Sequence, residues 1–204
     1  MRLSAFIVLM LILCAPANAG APLPELFAKA ATVKVYMYDA DPEKRPGILR
    51  EFRTLEPTAV PGSGIALNAK QIARVKQTFT AASGDQAPLG ACFVPRHGLV
   101  FEDAQGQVIG TLDVCFECTN YSLNAPGYDE RVKPVYDRYA QLGNWTEKLQ
   151  RKQTAEVDKV RAAFDMPPTD APIDWKSLEA LLAELGMPAK PKPADYERLR
   201  NASN

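Results

Sequence analysis

Four side chains able to do chemistry lie within the 27-residue run CFVPRHGLVFEDAQGQVIGTLDVCFEC: Cys92, His97, Cys115 and Cys118. His97 is the only histidine of the chain, and these are three of its four cysteines. Thiolates and an imidazole are the donors of tetrahedral zinc sites, and Cys-x4-His followed by Cys-x2-Cys supplies the four that such a site takes. Copper and iron accept the same donors, so this Cys3His set leaves the metal open, zinc among them. The cysteines also support a disulfide from Cys92 to Cys118 or to Cys115, which leaves one thiol over. A third chemistry is redox catalysis, because Cys115-Phe116-Glu117-Cys118 has the spacing of thiol oxidoreductases. In those enzymes the motif opens a helix, whereas here it is followed by Thr-Asn-Tyr-Ser with no helix signal before Gly127. Haem attachment would need a histidine where Thr119 stands. A fourth is hydrolysis by a Cys/His pair, with His97, Asp113 and Cys115 as a triad-like set.

The element that must position these groups is a β-hairpin. One strand is predicted from Arg96 to Glu102 and a second from Gln107 to Phe116, both rich in Val, Leu, Ile and Phe. Asp103-Ala104-Gln105-Gly106 between them is turn chemistry, with Gly106 free to adopt positive φ. With Asp103 and Gln107 flanking the turn, His97 falls opposite Asp113, Pro95 near Cys115, and Cys92 near Cys118. A slip of one residue would carry one set of side chains to the other face of the sheet.

The first nineteen residues read as a secretory signal rather than part of the fold. Arg2 is the basic start, Ala5–Leu13 the apolar stretch and Ala17-Asn18-Ala19 the cleavage site before Gly20. That apolar stretch is too short to span a bilayer, which takes about 20 residues. Cys14 lacks the small preceding residue of a lipid-modified cysteine. Removing nineteen residues from 204 leaves 185, with 23 basic against 24 acidic side chains once Arg2 is gone. This near-neutral balance carries neither a nucleic-acid nor an anionic-membrane footprint. An exported chain meets oxidising conditions, in which an odd number of thiols means either one disulfide with a thiol left over or thiols held another way.

The remaining elements follow from periodicity and punctuation. A short helical lead-in is expected over 22–31, a strand over Thr32–Tyr38 and another over Ile48–Leu55. Asn68 caps a helix to about Ala82, with Ile72, Val75 and Phe79 forming its apolar stripe and Gly84 beyond its end. Residues 120–127 read as loop. Helices are then predicted over Val132–Leu142, with Pro134 in its first turn, from Trp145 to Phe164, and after Asp174 with Leu178, Leu181, Leu182 and Leu185 as its stripe. The prolines around Lys190 and Lys192 read as a stiff spacer before a polar end that frays. Trp145 and Trp175 are expected as core anchors, and Lys148, Arg151 and Lys152 as a solvated face.

These elements make an α+β fold: a small antiparallel sheet in ββαββ order with one packed helix over 22–122, followed by a helical C-terminal extension over 129–204. The second strand pair is apolar on both faces and belongs at the centre of the sheet. The pattern Cys92…Pro95-Arg96-His97-Gly98-Leu99-Val100-Phe101, a turn, then Cys115-Phe116-x-Cys118 resembles one in uncharacterised exported bacterial proteins. The resemblance covers about 30 residues. It implies that Cys92, His97, Cys115 and Cys118 act as a unit and carries no activity with it. The expected role is a periplasmic or secreted binding or structural module. Its expected partner is an envelope protein or a small ligand, with no nucleic acid and no membrane span after cleavage. The competing class is a thiol redox or Cys/His hydrolytic enzyme.

Overall fold

A computed structural model describes residues 28–39, 49–50, 53–80, 94–143, 145–164, 166 and 173–202. Its centre is an antiparallel five-stranded sheet in the order β4-β1-β5-β6-β7. The strands are β1 (Thr32–Met37), β4 (Ile65–Ala66), β5 (His97–Glu102), β6 (Val108–Cys115) and β7 (Asn120–Asn124). β5 and β6, apolar on both faces, do take interior positions. The two further strands, β2 (Leu49–Arg50) and β3 (Thr54–Leu55), pair only with each other. The single strand expected over Ile48–Leu55 is therefore two short pieces outside the main sheet. What occupies the edge beside β1 is β4, two residues that the Pro/Gly-rich sequence around them hid.

Alternation along the strands sorts residues cleanly. Val33, Val35 and Met37 of β1, Leu99 and Phe101 of β5, Leu112 and Val114 of β6, and Leu123 of β7 join the main core. Helices supply the rest of that core. α1 (Ala69–Thr80) begins where expected, because Asn68 Oδ1 accepts from Gln71 N while Gln71 Oε1 accepts from Asn68 N, a reciprocal cap that satisfies two otherwise orphaned donors. α2 (Tyr128–Ala140) starts four residues earlier than predicted, after Gly127 at φ 79°. Pro134 thus sits in the second turn instead of the first. The bond it removes would have joined the carbonyl of Glu130, a residue on the exposed side of the helix. α3 (Glu147–Ala162) is capped by Thr146, whose side chain accepts from Leu149 N.

α4 (Trp175–Glu184) starts at the predicted cap, Asp174, whose Oδ1 accepts from Ser177 N. Its Leu178, Leu181 and Leu182 are fully buried and belong to the same core cluster as the sheet residues. Asp174 N donates to the carbonyl of Thr78, and Gln71 Nε2 to Glu184, so α4 is fastened to α1 at both ends. The predicted fraying end is instead a helix, α5 (Pro193–Ala202), with Tyr196 and Leu199 buried. Proline at the first helical position is preset for the helix, and Asp195 Oδ2 accepts from Lys192 N to close its start. No described helix is long and apolar enough to cross a membrane. The expected lead-in helix, the signal segment and Cys14 fall largely or wholly outside the described residues.

Candidate functional site

The predicted hairpin forms, and a bulge inside it changes what its side chains do. Asp103 and Gln107 flank the turn as expected: Asp103 N donates to Gln107 O, and Asp103 Oδ1 accepts from Gln105 N and Gln107 N. Glu102 pairs with Val108 in the expected register. Between Phe101 and Glu102 the register shifts, and from there Phe101 pairs with Gly110, Gly98 with Asp113, and His97 with Val114. The extra residue on β6 is a β-bulge. Directly paired residues share a face, so the shift moves His97 and Asp113 apart. His97 lies on the helix-covered face with Leu99 and Val114. Asp113 and Cys115 lie on the opposite face with Tyr36, Tyr38, Val100 and Thr111. The triad-like grouping of His97, Asp113 and Cys115 on one face is thereby corrected.

His97 is fully buried, and neither ring nitrogen makes a hydrogen bond among the described residues. Its imidazole meets the Phe116 ring edge to face at 5.7 Å, and Phe116 meets Trp175 at 5.6 Å. The Pro188 carbonyl lies close enough to favour a proton on the ring, without hydrogen-bonding geometry. Burial outweighs that help, Arg96 adds to it, and the pKa falls to about 4. At neutral pH the histidine is an uncharged member of an aromatic stack joining the sheet to α4.

On the other face, Asp113 is 4 % exposed and accepts a 2.5 Å hydrogen bond at Oδ1 from the Tyr38 hydroxyl. Tyr38 follows the end of β1, two strands away. Gly98, paired with both Tyr36 and Asp113, puts no side chain in the way. Burial lifts the Asp113 carboxyl to about 7, partly countered by the Tyr38 bond. Burial and the neighbouring Asp113 hold the Tyr38 hydroxyl well above its ordinary value. The sequence reading missed Tyr38, taking it only as the end of an alternating strand. The available signal was Gly98, since a glycine inside a strand marks close approach by another group.

Cys115 carries a fully buried free thiol on the Asp113 face. Cys118 is half-buried in the turn joining β6 to β7. That turn ends in Thr119 at φ 45°, a conformation costly for a β-branched residue. The Cys-x-x-Cys motif therefore spans a strand-to-strand turn and opens no helix. Cys92 lies outside the described residues. The chain two residues beyond it, from Val94, approaches β6, and Arg96 N donates to the carbonyl of Val114 at 3.2 Å.

Comparison with known protein families, curated proteins and solved structures finds no match. Among the described residues, no three His, Cys, Asp or Glu side chains form a metal-binding group, and no disulfide is present. A tetrahedral zinc centre holds its donors about 2.0–2.3 Å from one ion. His97 and Cys115, on opposite faces of one sheet, do not converge in that way.

Proposed function

We propose that the protein is an exported, non-catalytic binding module of the bacterial envelope whose hairpin mouth is stapled by a disulfide between Cys92 and Cys118. The observation that carries this reading is the separation of His97 from Cys115 across the sheet. It weighs against one Cys3His centre and against a Cys/His nucleophile pair in the same stroke. Cys115 then becomes the leftover thiol, sealed in the interior, and His97 an aromatic core residue. A β-turn rather than a helix N-terminus at Cys115–Cys118 also leaves those thiols without the dipole that activates redox cysteines. Pairing Cys92 with the half-buried Cys118 closes the open end of the two central strands.

The test is intact mass, metal content and alkylation on protein purified from the periplasm without chelators. The expected result is a chain beginning at Gly20, a mass lower by one pair of hydrogens, no stoichiometric metal, and one thiol that alkylates only after denaturation. One equivalent of zinc with three reduced thiols would overturn the staple in favour of the Cys3His centre. A thiol that alkylates rapidly in the native protein would overturn the non-catalytic reading.

A further inference from the structure

α2 and α3 form a helical hairpin, tied near the end of α2 by Tyr139 Oη donating to Glu156 at 2.8 Å and by an Arg138–Glu156 ion pair. At its tip stand Leu142 and Trp145, 51 % and 57 % exposed, the two most exposed large apolar side chains among the described residues. The expectation that Trp145 anchors the core is overturned. Its indole has no hydrogen bond and no ring partner among the described residues. Helix capping does not explain it either. A hydrophobic residue before the cap packs on the fourth helical residue, and here that residue is the exposed Gln150.

The charges behind the tip are one-sided. Residues 142–152 hold Lys148, Arg151 and Lys152 against Glu147 alone. Arg151 is paired with Glu147 at 3.1 Å, which leaves Lys148 and Lys152, four residues apart on α3, without an ion pair among the described residues. The near-zero charge of the whole chain conceals this local excess.

We propose that this tip docks the protein on an anionic lipid surface, with Trp145 and Leu142 entering the headgroup region and Lys148 and Lys152 against lipid phosphates. Indole rings favour that depth, and a small apolar insertion combined with nearby cations gives reversible attachment. A protein partner would need about 800 Å² of complementary surface. The neighbours of this convex tip are instead long charged side chains, the kind depleted from interface centres. Lipid headgroups impose no such shape. The inference names a partner for the binding module and so rests on that reading, but it does not involve the cysteines. Vesicle attachment can fail while the thiol state holds, and the reverse.

The experiment is co-sedimentation of the mature chain with phosphatidylcholine vesicles, with and without phosphatidylglycerol, alongside tryptophan fluorescence. Attachment only to the anionic vesicles is expected, with a blue shift that Trp145→Phe removes. Lys148→Gln with Lys152→Gln should weaken it by about tenfold or more, as should Trp145→Ser with Leu142→Ser. All four positions are exposed, and circular dichroism should show these variants folded. No attachment by the natural chain, or equal attachment by folded variants, overturns the proposal. Capture of a protein through Trp145 in place of vesicles would do the same.

Discussion

Asp113→Asn is expected to exchange the order of stability between low and high pH. The folded protein holds the Asp113 carboxyl at about 7, against an ordinary 3.8, because burial penalises its charge. Between those values the folded chain binds a proton that the unfolded chain has lost, so stability falls as pH rises from about 4 to about 7 and levels off above. At about 1.4 kcal/mol per pH unit, the span corresponds to about 4 kcal/mol. Asparagine cannot ionise, and its carbonyl can still accept the Tyr38 bond. Its amide brings one more buried donor than a protonated carboxyl, a cost of about 1–3 kcal/mol. The natural chain should therefore be the more stable at pH 4 and the variant at pH 8. Urea denaturation of both proteins across this range measures the difference directly, and groups common to the two cancel. A difference independent of pH would refute the reasoning, since it would mean that Asp113 is already ionised at low pH. Tyr38→Phe provides the companion result: without its donor, the falling limb should extend to higher pH.

His97 gives the opposite slope. Its folded value near 4 lies below the ordinary 6.5, so the stability it contributes is complete above about 6.5 and lost as pH falls through about 4. His97→Leu should remove that limb, about 3 kcal/mol in extent, and be the more stable protein at pH 4.5 in urea titrations. Loss of the proposed staple, by Cys92→Ser or by reductant, should cost about 3 kcal/mol for a loop of this length. A midpoint unmoved by reductant would count against the disulfide. Leu182→Ala, at a fully buried position where α4 enters the shared core, should cost about 2–5 kcal/mol. A smaller loss in calorimetry would mean that α4 contributes little to the body of the protein.

What could be read from sequence was what is decided locally. The Asp103–Gln107 turn, the caps Asn68 and Asp174 and the leucine stripe of α4 depend on residues within a few positions of one another. Interior placement of β5 and β6 followed from their apolar character on both faces. The bulge on β6 opposite Phe101 left one cue, Gly110 inside the strand, since such a glycine often marks a bulge; the size and direction of the offset follow from pairing that buries Leu99 and Phe101 with Leu112 and Val114. That one offset decided the fate of the candidate site. β7 was missed because Asn120, Ser122 and Asn124 are an edge strand's polar face, indistinguishable from loop composition. α5 was missed because its prolines, read as spacer, are preset for a helix start. The Tyr38–Asp113 bond joins residues 75 positions apart, and Gly98 between them marks only that something approaches closely, not which residues meet.

The fastening of α4 and α5 to the sheet body has a consequence in time. Asp39 near the start of the described chain is paired with Arg200 near its end, 161 positions later, and Leu182, Met187 and Leu199 complete a core begun by Val33 and Val35. A chain made from its N-terminus cannot finish that core until Leu199 has been added. The pairing of β1 with β5 must likewise wait for a strand some sixty residues downstream, and such non-local contacts form slowly. Until α5 has been made the growing polypeptide lacks part of its core, so the fold should close late and all at once rather than element by element.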